Sequence, residues 1–379
     1  MKRLLSLFLC VLLFFSITAY AEEPSLELSA KSALLMEGST GTILFEKASH
    51  EPLPPASVTK IMTMLLVMEA LDNGQYTLDD KVSVSEFAAS MGGSQVFLEP
   101  NEQMSVHDML KAVAVASGND AAAALAEFTA GSHDAFVAKM NERAKQLGMN
   151  DTHFVNCNGL DADGHVTSAH DIAVMSRELM KHPKIFEYTT IWMDSLRDGA
   201  FGLVNTNKLV RFYQGATGLK TGSTSVAGFC ISATAKRDGM DLIAVVMGAP
   251  SSKERFSDAS KMLDFGFANY GICNTLVKED ELSPITLKKG VKDNVEIGLA
   301  NGFSLLMKKS EIANMEKKIT LPESINAPII KNHKIGTVEF FSNGNSVGKC
   351  DIVAKEDVKA ENPIGMFSKI GAFFLYGKN

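Results

Sequence analysis

The chain has 379 residues, 46% of them hydrophobic and 21% charged, with 44 acidic side chains against 37 basic ones and a formal net charge of −7. That acid excess excludes a nucleic-acid binder working through a basic surface. The length exceeds one small domain and suits a large domain with a smaller companion.

The first residues run Lys2-Arg3, an apolar stretch over 4–17, then Ala19-Tyr20-Ala21 before Glu22. Charge, apolar run and small residues in that order are the pattern of a secretory signal peptide, and the run is short for a bilayer span. Residues 1–21 are therefore read as a removed leader, and Glu22 as the mature start. Cys10 lies inside the apolar run and not at its end, which argues against lipoprotein processing. Losing Lys2 and Arg3 makes the mature protein more acidic still. It keeps Cys157, Cys230, Cys273 and Cys350, without any Cys-x-x-Cys pair, so neither a zinc site nor a disulfide scaffold is indicated.

Beyond the leader, residues 32–36 and 42–45 are predicted strands of a hairpin turning at 37–41. From Ser57 the period becomes helical, with Ile61, Leu65, Met68 and Leu71 on one face, and Pro54-Pro55 keeps the helix from starting earlier. Ser57 thus falls at a helix N-terminus. Ser105 is placed to cap a helix through Ala114, residues 120–128 form an alanine-rich helix, and Ser132 caps another that stops near Gly148.

Strand character returns around Lys220. Residues 229–235 and 242–247 read as neighbouring strands joined through Arg237-Asp238-Gly239, and a helix covers 253–267. Strands at both ends with helices between predict one sheet closed by both termini of the domain. After about Tyr270, residues 337–341 and 347–353 flank Asn343-Gly344, a hairpin signal, so this region reads as a small all-β domain. Residues 363–379 carry Ile364, Met366, Phe367, Ile370, Phe373, Phe374 and Leu375 with Lys369 and Lys378. That pattern suits an amphipathic helix lying on a membrane surface, or one docked on its own protein.

Three short motifs carry chemistry: Ser57-Val58-Thr59-Lys60, Ser117-Gly118-Asn119 and Lys220-Thr221-Gly222, in that order. A serine hydroxyl is a weak nucleophile until a nearby base takes its proton. Positions i and i+3 of a helix share a face, which brings the Lys60 amine to Ser57. To act as a base that amine must be neutral, which burial and a neighbouring positive charge favour; Lys220 is the natural source of the charge. Each motif alone decides nothing, since Ser-x-x-Lys recurs at Ser346-Val347-Gly348-Lys349 and Ser-x-Asn at Ser324-Ile325-Asn326. Taken alone, the pair favours the plainer reading, with Ser57 a helix cap and Lys60 a solvated helix residue.

His153, His165 and His170 lack any His-Glu-x-x-His spacing, and Asp161 with Asp163 lacks the twelve-residue calcium pattern. Ordinary loop and capping roles are expected of them, with no metal and no cofactor. No Gly-x-Ser-x-Gly elbow is present, which argues against an α/β-hydrolase.

With its flanks, the set Pro55-Ala56-Ser57-Val58-Thr59-Lys60, Ala116-Ser117-Gly118-Asn119-Asp120, Gly159-Leu160-Asp161-Ala162-Asp163-Gly164 and Gly218-Leu219-Lys220-Thr221-Gly222 resembles the serine D-alanyl-D-alanine carboxypeptidases, the low-molecular-mass penicillin-binding proteins. The resemblance runs from about Leu26 to Phe267 and extends to the β domain and tail. It implies an α+β fold: a penicillin-binding/serine β-lactamase-like transpeptidase domain, with a central antiparallel sheet and a helical subdomain, at 22–270. A small all-β domain at 271–361 and a membrane-surface tail at 362–379 complete it.

The resemblance makes Ser57 the acylated nucleophile and Lys60 the base that activates it and the deacylating water. It makes Ser117 a proton relay to the leaving amine and Asn119 a holder of the substrate amide. Thr221 would bond the substrate carboxylate and Lys220 supply field, with Gly222 and Ser223 on the same strand. The N–H groups of Ser57 and Ser223 would form the oxyanion hole. Arg255 stands where relatives carry an arginine near the carboxylate end of the cleft, and otherwise reads as a surface residue at a helix start. Asn158 departs from relatives that have histidine there. The implied partners are peptidoglycan stem peptides ending in D-Ala-D-Ala, β-lactams as covalent inhibitors, and a membrane surface at the outer face of the cytoplasmic membrane. A serine β-lactamase, which normally lacks the second β domain and tail, and a non-catalytic wall-binding scaffold stay open as alternatives.

Overall fold

The computed structural model describes residues 26–273, 277, 281–300, 305–312 and 314–362; the expected leader and the tail at 363–379 lie outside them. Five strands form the central sheet: β1 (Ser32–Glu37), β2 (Ile43–Lys47), β3 (Ala216–Thr224), β4 (Gly228–Arg237) and β5 (Met240–Ala249). Their spatial order is β2-β1-β5-β4-β3, antiparallel at every pair. β1, from the start of the chain, pairs with β5, so both ends close the sheet as expected.

β1 is buried at all six positions because it is covered on both faces. Its alternation still shows: Leu34 and Met36 join one core with Ile243, Val245 and Met247, while Ala33 and Leu35 join another with Leu242, Ala244 and Val246. Three helices, α1 (Lys60–Asp72), α2 (Asn119–Ala130) and α3 (Ala169–Leu179), contribute to the first core, and α4 (Ser252–Asn269) covers the opposite face. α1 buries Ile61, Met62, Met64, Leu65, Val67 and Met68, which points it into the middle of the protein and not along its surface.

Ser105 caps its helix as expected, accepting from the Asp108 N–H at 3.1 Å. That α-helix ends at Lys111, however, and passes into one wide π-turn over Ala112–Ala116 that delivers Ser117 at φ 64°. Ser132 caps His133–Gln146 through the Ala135 N–H. α4 starts from a Ser251 cap that accepts from Glu254 N–H.

In the C-terminal region the strands Ile297–Leu299, Asn345–Ala354, Lys334–Ser342 and Met315–Thr320 form a four-stranded sheet in that order. Its hairpin turns at Asn343 (φ 49°) and Gly344 (φ 79°), the left-handed pair that a two-residue turn requires. One short helix, Lys309–Ile312, interrupts the otherwise β-rich described region. The fold is α+β. The second Ser-x-x-Lys lies on Asn345–Ala354, where the Ser346 hydroxyl donates to Glu339 at 2.8 Å and both Ser346 and Lys349 are exposed. An exposed lysine keeps its proton in water, so this pair lacks the burial that sets Lys60 apart.

Candidate active site

Ser57 sits in the 3-10 turn Ala56–Thr59, which runs straight into α1. Its hydroxyl caps nothing; it accepts a hydrogen bond from the Lys60 amine at 2.9 Å. Lys60 is wholly buried and also donates to Asn119 Oδ1 at 2.5 Å and to the Asn158 carbonyl at 2.7 Å. One ammonium group thereby uses its three donors on three separate segments. Burial pulls its pKa down to about 7, against a smaller opposing pull from Cys157 and the Asp120 carboxylate. Near neutrality a large share of the amine is free, with a lone pair aimed at the Ser57 hydroxyl.

Lys220, on the edge strand β3, is equally buried and donates to the Thr221 carbonyl at 3.0 Å. Its pKa lies well below the ordinary lysine value, through burial first, then the repulsion of Lys60 and Arg255. Burial is the leading cause at both lysines, and the repulsion between their charges disfavours holding both protons at once. The Thr221 hydroxyl donates to Thr206 Oγ1 at 2.7 Å. A Cβ on Gly222 would lie 2.7 Å from the Ser57 nitrogen and 2.9 Å from the Val58 nitrogen, so only glycine lets β3 press against the nucleophile turn. Ser223, next along the edge, is exposed.

Arg255 is not a surface residue. From the first turn of α4 its Nη1 donates to the Gly222 carbonyl at 3.2 Å and the Cys230 carbonyl at 3.3 Å, and its Nη2 to Ser252 Oγ at 3.2 Å. The side chain is buried against the Phe256 and Phe229 rings, and its Nε has no hydrogen-bond partner among the described residues. Burial lowers its pKa to about 10, which leaves it charged. It stands behind the Lys-Thr-Gly strand and supports it there.

On the other wall, the wide turn ends in buried, left-handed Ser117, and α2 begins at Asn119. Asn119 turns Oδ1 to Lys60 and donates from Nδ2 to the Gly92 carbonyl at 2.6 Å. Asp120, which the sequence reading left without a role, is almost fully buried and accepts from the backbone N–H groups of Val96 (3.0 Å) and Leu98 (3.1 Å). Arg197 holds the same loop from outside, donating to the carbonyls of Val96 and Phe97 at 3.0 Å each. Opposite charges thus clamp the N–H and C=O groups of one loop at the cleft.

Asn158 reaches Lys60 through its carbonyl alone, while its side-chain amide faces Met91 Sδ at 3.4 Å. A histidine there would keep the carbonyl contact, so the departure at this position leaves the lysine cage intact. Gly159, at φ 86°, has the Ala56 carbonyl oxygen 1.9 Å from where a Cβ would stand, which explains the glycine of the Gly-Leu-Asp-Ala-Asp-Gly run. Asp161 accepts from the Thr224 hydroxyl at 2.8 Å and so ties this run to the end of β3.

A family profile described as D-alanyl-D-alanine carboxypeptidase matches residues 18–251, and one described as the C-terminal domain of penicillin-binding protein 5 matches residues 273–360. The D-alanyl-D-alanine carboxypeptidase DacF of Bacillus subtilis is 46% identical over 370 residues, spanning 95% of each chain. The solved penicillin binding protein 5 of Haemophilus influenzae superposes with a TM-score of 0.74 at 30% identity, covering 89% of this chain and 99% of its own. Penicillin-Binding Protein D2 of Listeria monocytogenes, solved in an ampicillin-bound form, aligns at 35% identity with a TM-score of 0.59, over 64% of this chain and 100% of its own.

Replacing Asp120 by alanine strands the Val96 and Leu98 N–H groups inside the protein. We expect Asp120→Ala to lose about 1–3 kcal/mol of stability in urea unfolding. An unchanged midpoint would show that the loop finds other acceptors.

Proposed function

The chain belongs to the D-alanyl-D-alanine carboxypeptidase family, and from that membership we propose that Ser57 is the residue acylated, with Lys60 as its base. The protein is a penicillin-binding, serine-type D-Ala-D-Ala carboxypeptidase, a hydrolase. The observation that carries the residue assignment is the buried Lys60 amine, 2.9 Å from Ser57 Oγ and near half-protonation at neutral pH.

In this reading neutral Lys60 takes the Ser57 proton as Oγ attacks the carbonyl carbon of the penultimate D-alanine. The developing oxyanion lies between the N–H groups of Ser57 and Ser223, a pairing supported by the close approach that Gly222 allows. Ser117 passes the proton to the departing amine, and D-alanine leaves. Water, deprotonated by Lys60, then attacks the Ser57 ester; the products are D-alanine and the shortened peptide, and the serine regains its proton. Asn119 orients the substrate amide and Thr221 takes the terminal carboxylate. Lys220 and Arg255 act on that carboxylate through their field, Arg255 from behind the Gly222 carbonyl. A β-lactam enters by the same attack, but its ring-opened amine stays tethered to the acyl group.

We further propose that residues 1–21 direct export and are removed, that 22–270 form the catalytic unit and 271–361 the β domain, and that 362–379 hold the enzyme on the outer face of the cytoplasmic membrane. The order of charge, apolar run and Ala-x-Ala supports the first, and the apolar-basic pattern of 363–379 the last. Among the described residues no helix is long and apolar enough to cross a membrane.

Mass spectrometry of stem peptides incubated with the enzyme should show loss of one terminal D-alanine, and fluorescent penicillin should label the wild type but not Ser57→Ala. Penicillin turnover without D-alanine release would make it a β-lactamase, and no label at all a scaffold. Because the base must be unprotonated, acylation should climb as pH rises through about 7 and level off above it. Lys60→Arg, which stays protonated, should lose roughly 10²–10⁴-fold at every pH; a flat wild-type profile would remove Lys60 from the role. Deleting 363–379 should move the protein from the membrane fraction to the supernatant, and unchanged sedimentation would sink the tail assignment.

A further inference from the structure

His165 belongs to none of the three motifs, yet its imidazole is 3% exposed and bonded at both nitrogens. The Val155 N–H donates to Nδ1 at 2.9 Å, so Nδ1 is an acceptor and Nε2 carries the ring proton. Nε2 lies 2.8 Å from Thr59 Oγ1 and must be the donor there. The Thr59 hydroxyl then spends its own proton on the Ala56 carbonyl at 2.8 Å. Every bond of this relay has one allowed direction. Burial, with a smaller push from His153 and an opposing pull from Asp161, lowers the ring's pKa to about 4, so the neutral tautomer persists at neutral pH.

The relay ends at an unusual place. Ala56 precedes the nucleophile and holds φ 49°, a left-handed backbone that a residue with a Cβ avoids unless its surroundings impose it. Thr59 lies between Ser57 and Lys60 in sequence, so its side chain reaches back across the turn that aims both. The neighbouring Gly159 packs on the same Ala56 carbonyl and offers it no side-chain donor.

From this geometry we infer that His165 is a positioning residue for the reaction: acting through Thr59, it fixes the Ala56 carbonyl and so the direction of the Ser57 hydroxyl and N–H. The inference rests on the assignment of Ser57 as nucleophile. It identifies a structural contact between the loop at 153–167 and the catalytic turn that the motifs do not contain.

The test is the acylation rate constant with fluorescent penicillin, resolved from the preceding binding step, for His165→Leu, His165→Gln, Thr59→Val and the Leu/Val double variant. His165→Leu and Thr59→Val should each slow acylation roughly 10- to 100-fold, with binding unchanged, since small misplacements of reacting groups cost that much. The double variant should be no slower than the slower single, because both cut one relay. Glutamine offers an acceptor and a donor on one planar group and should restore the rate to within about threefold. Wild-type rates in His165→Leu, equal losses in Leu and Gln, or losses that multiply would overturn the inference. Thr59→Val, close in shape, reads the relay from its other end should His165→Leu not fold. Labelling of Ser57→Ala would instead overturn the nucleophile itself, whatever the relay does.

Discussion

An amine shut away from water must either find partners for its donors or give up its charge, and Lys60 does some of both. Its three contacts belong to the turn before α1, the start of α2 and the loop at 156–160, which are far apart in sequence. Burial lowers the affinity for the proton, and the hydrogen bonds keep the protonated form from being prohibitively costly. The balance falls near neutrality, where a base for a serine hydroxyl is most useful. Without the helical core around α1 there would be no burial. Without the converging loops there would be no orientation.

The second constraint is how closely backbones can approach. β3 is the edge of the sheet, and at Gly222 it packs against the nucleophile turn more closely than any side chain would allow. Arg255 reaches the same strand from behind and brings its charge near Lys220, on which Lys60 also acts. Burial and mutual repulsion disfavour the lysine protons in the empty site, and a ligand ending in a carboxylate, as proposed, would favour them.

Much of this was legible in the sequence where local geometry suffices. The i, i+3 spacing of Ser57 and Lys60 is a property of any helix, and the Arg237-Asp238-Gly239 turn between β4 and β5 follows from its residues. The expected β-rich C-terminal region followed from Asn343-Gly344 in the same way. Asp120 was not legible, because its partners Val96 and Leu98 lie on a loop that only the tertiary fold brings to the start of α2. The wide turn at Ala112–Ala116, where the spacing predicts an ordinary helix through Ala114, was not legible, since alternating alanine and valine carries no signal for an extra residue per turn. Arg255 was placed near the cleft by resemblance alone; its Lys-Glu-Arg run at a helix start carries no sign of burial, which comes from the packing of α4 against the sheet. The leading part that burial plays at Lys60 and Lys220 needed depths that no spacing reveals.

The glycines at 159 and 222 bracket the nucleophile turn from two sides, and in both cases the atoms a side chain would strike are backbone: the Ala56 carbonyl on one side, the Ser57 and Val58 nitrogens on the other. A clash with a neighbouring side chain can be relieved by shortening that neighbour. A clash with main chain has no such remedy. Repair by a second substitution is therefore closed at these two positions, and the width of the catalytic slot can drift only if whole segments of chain shift together.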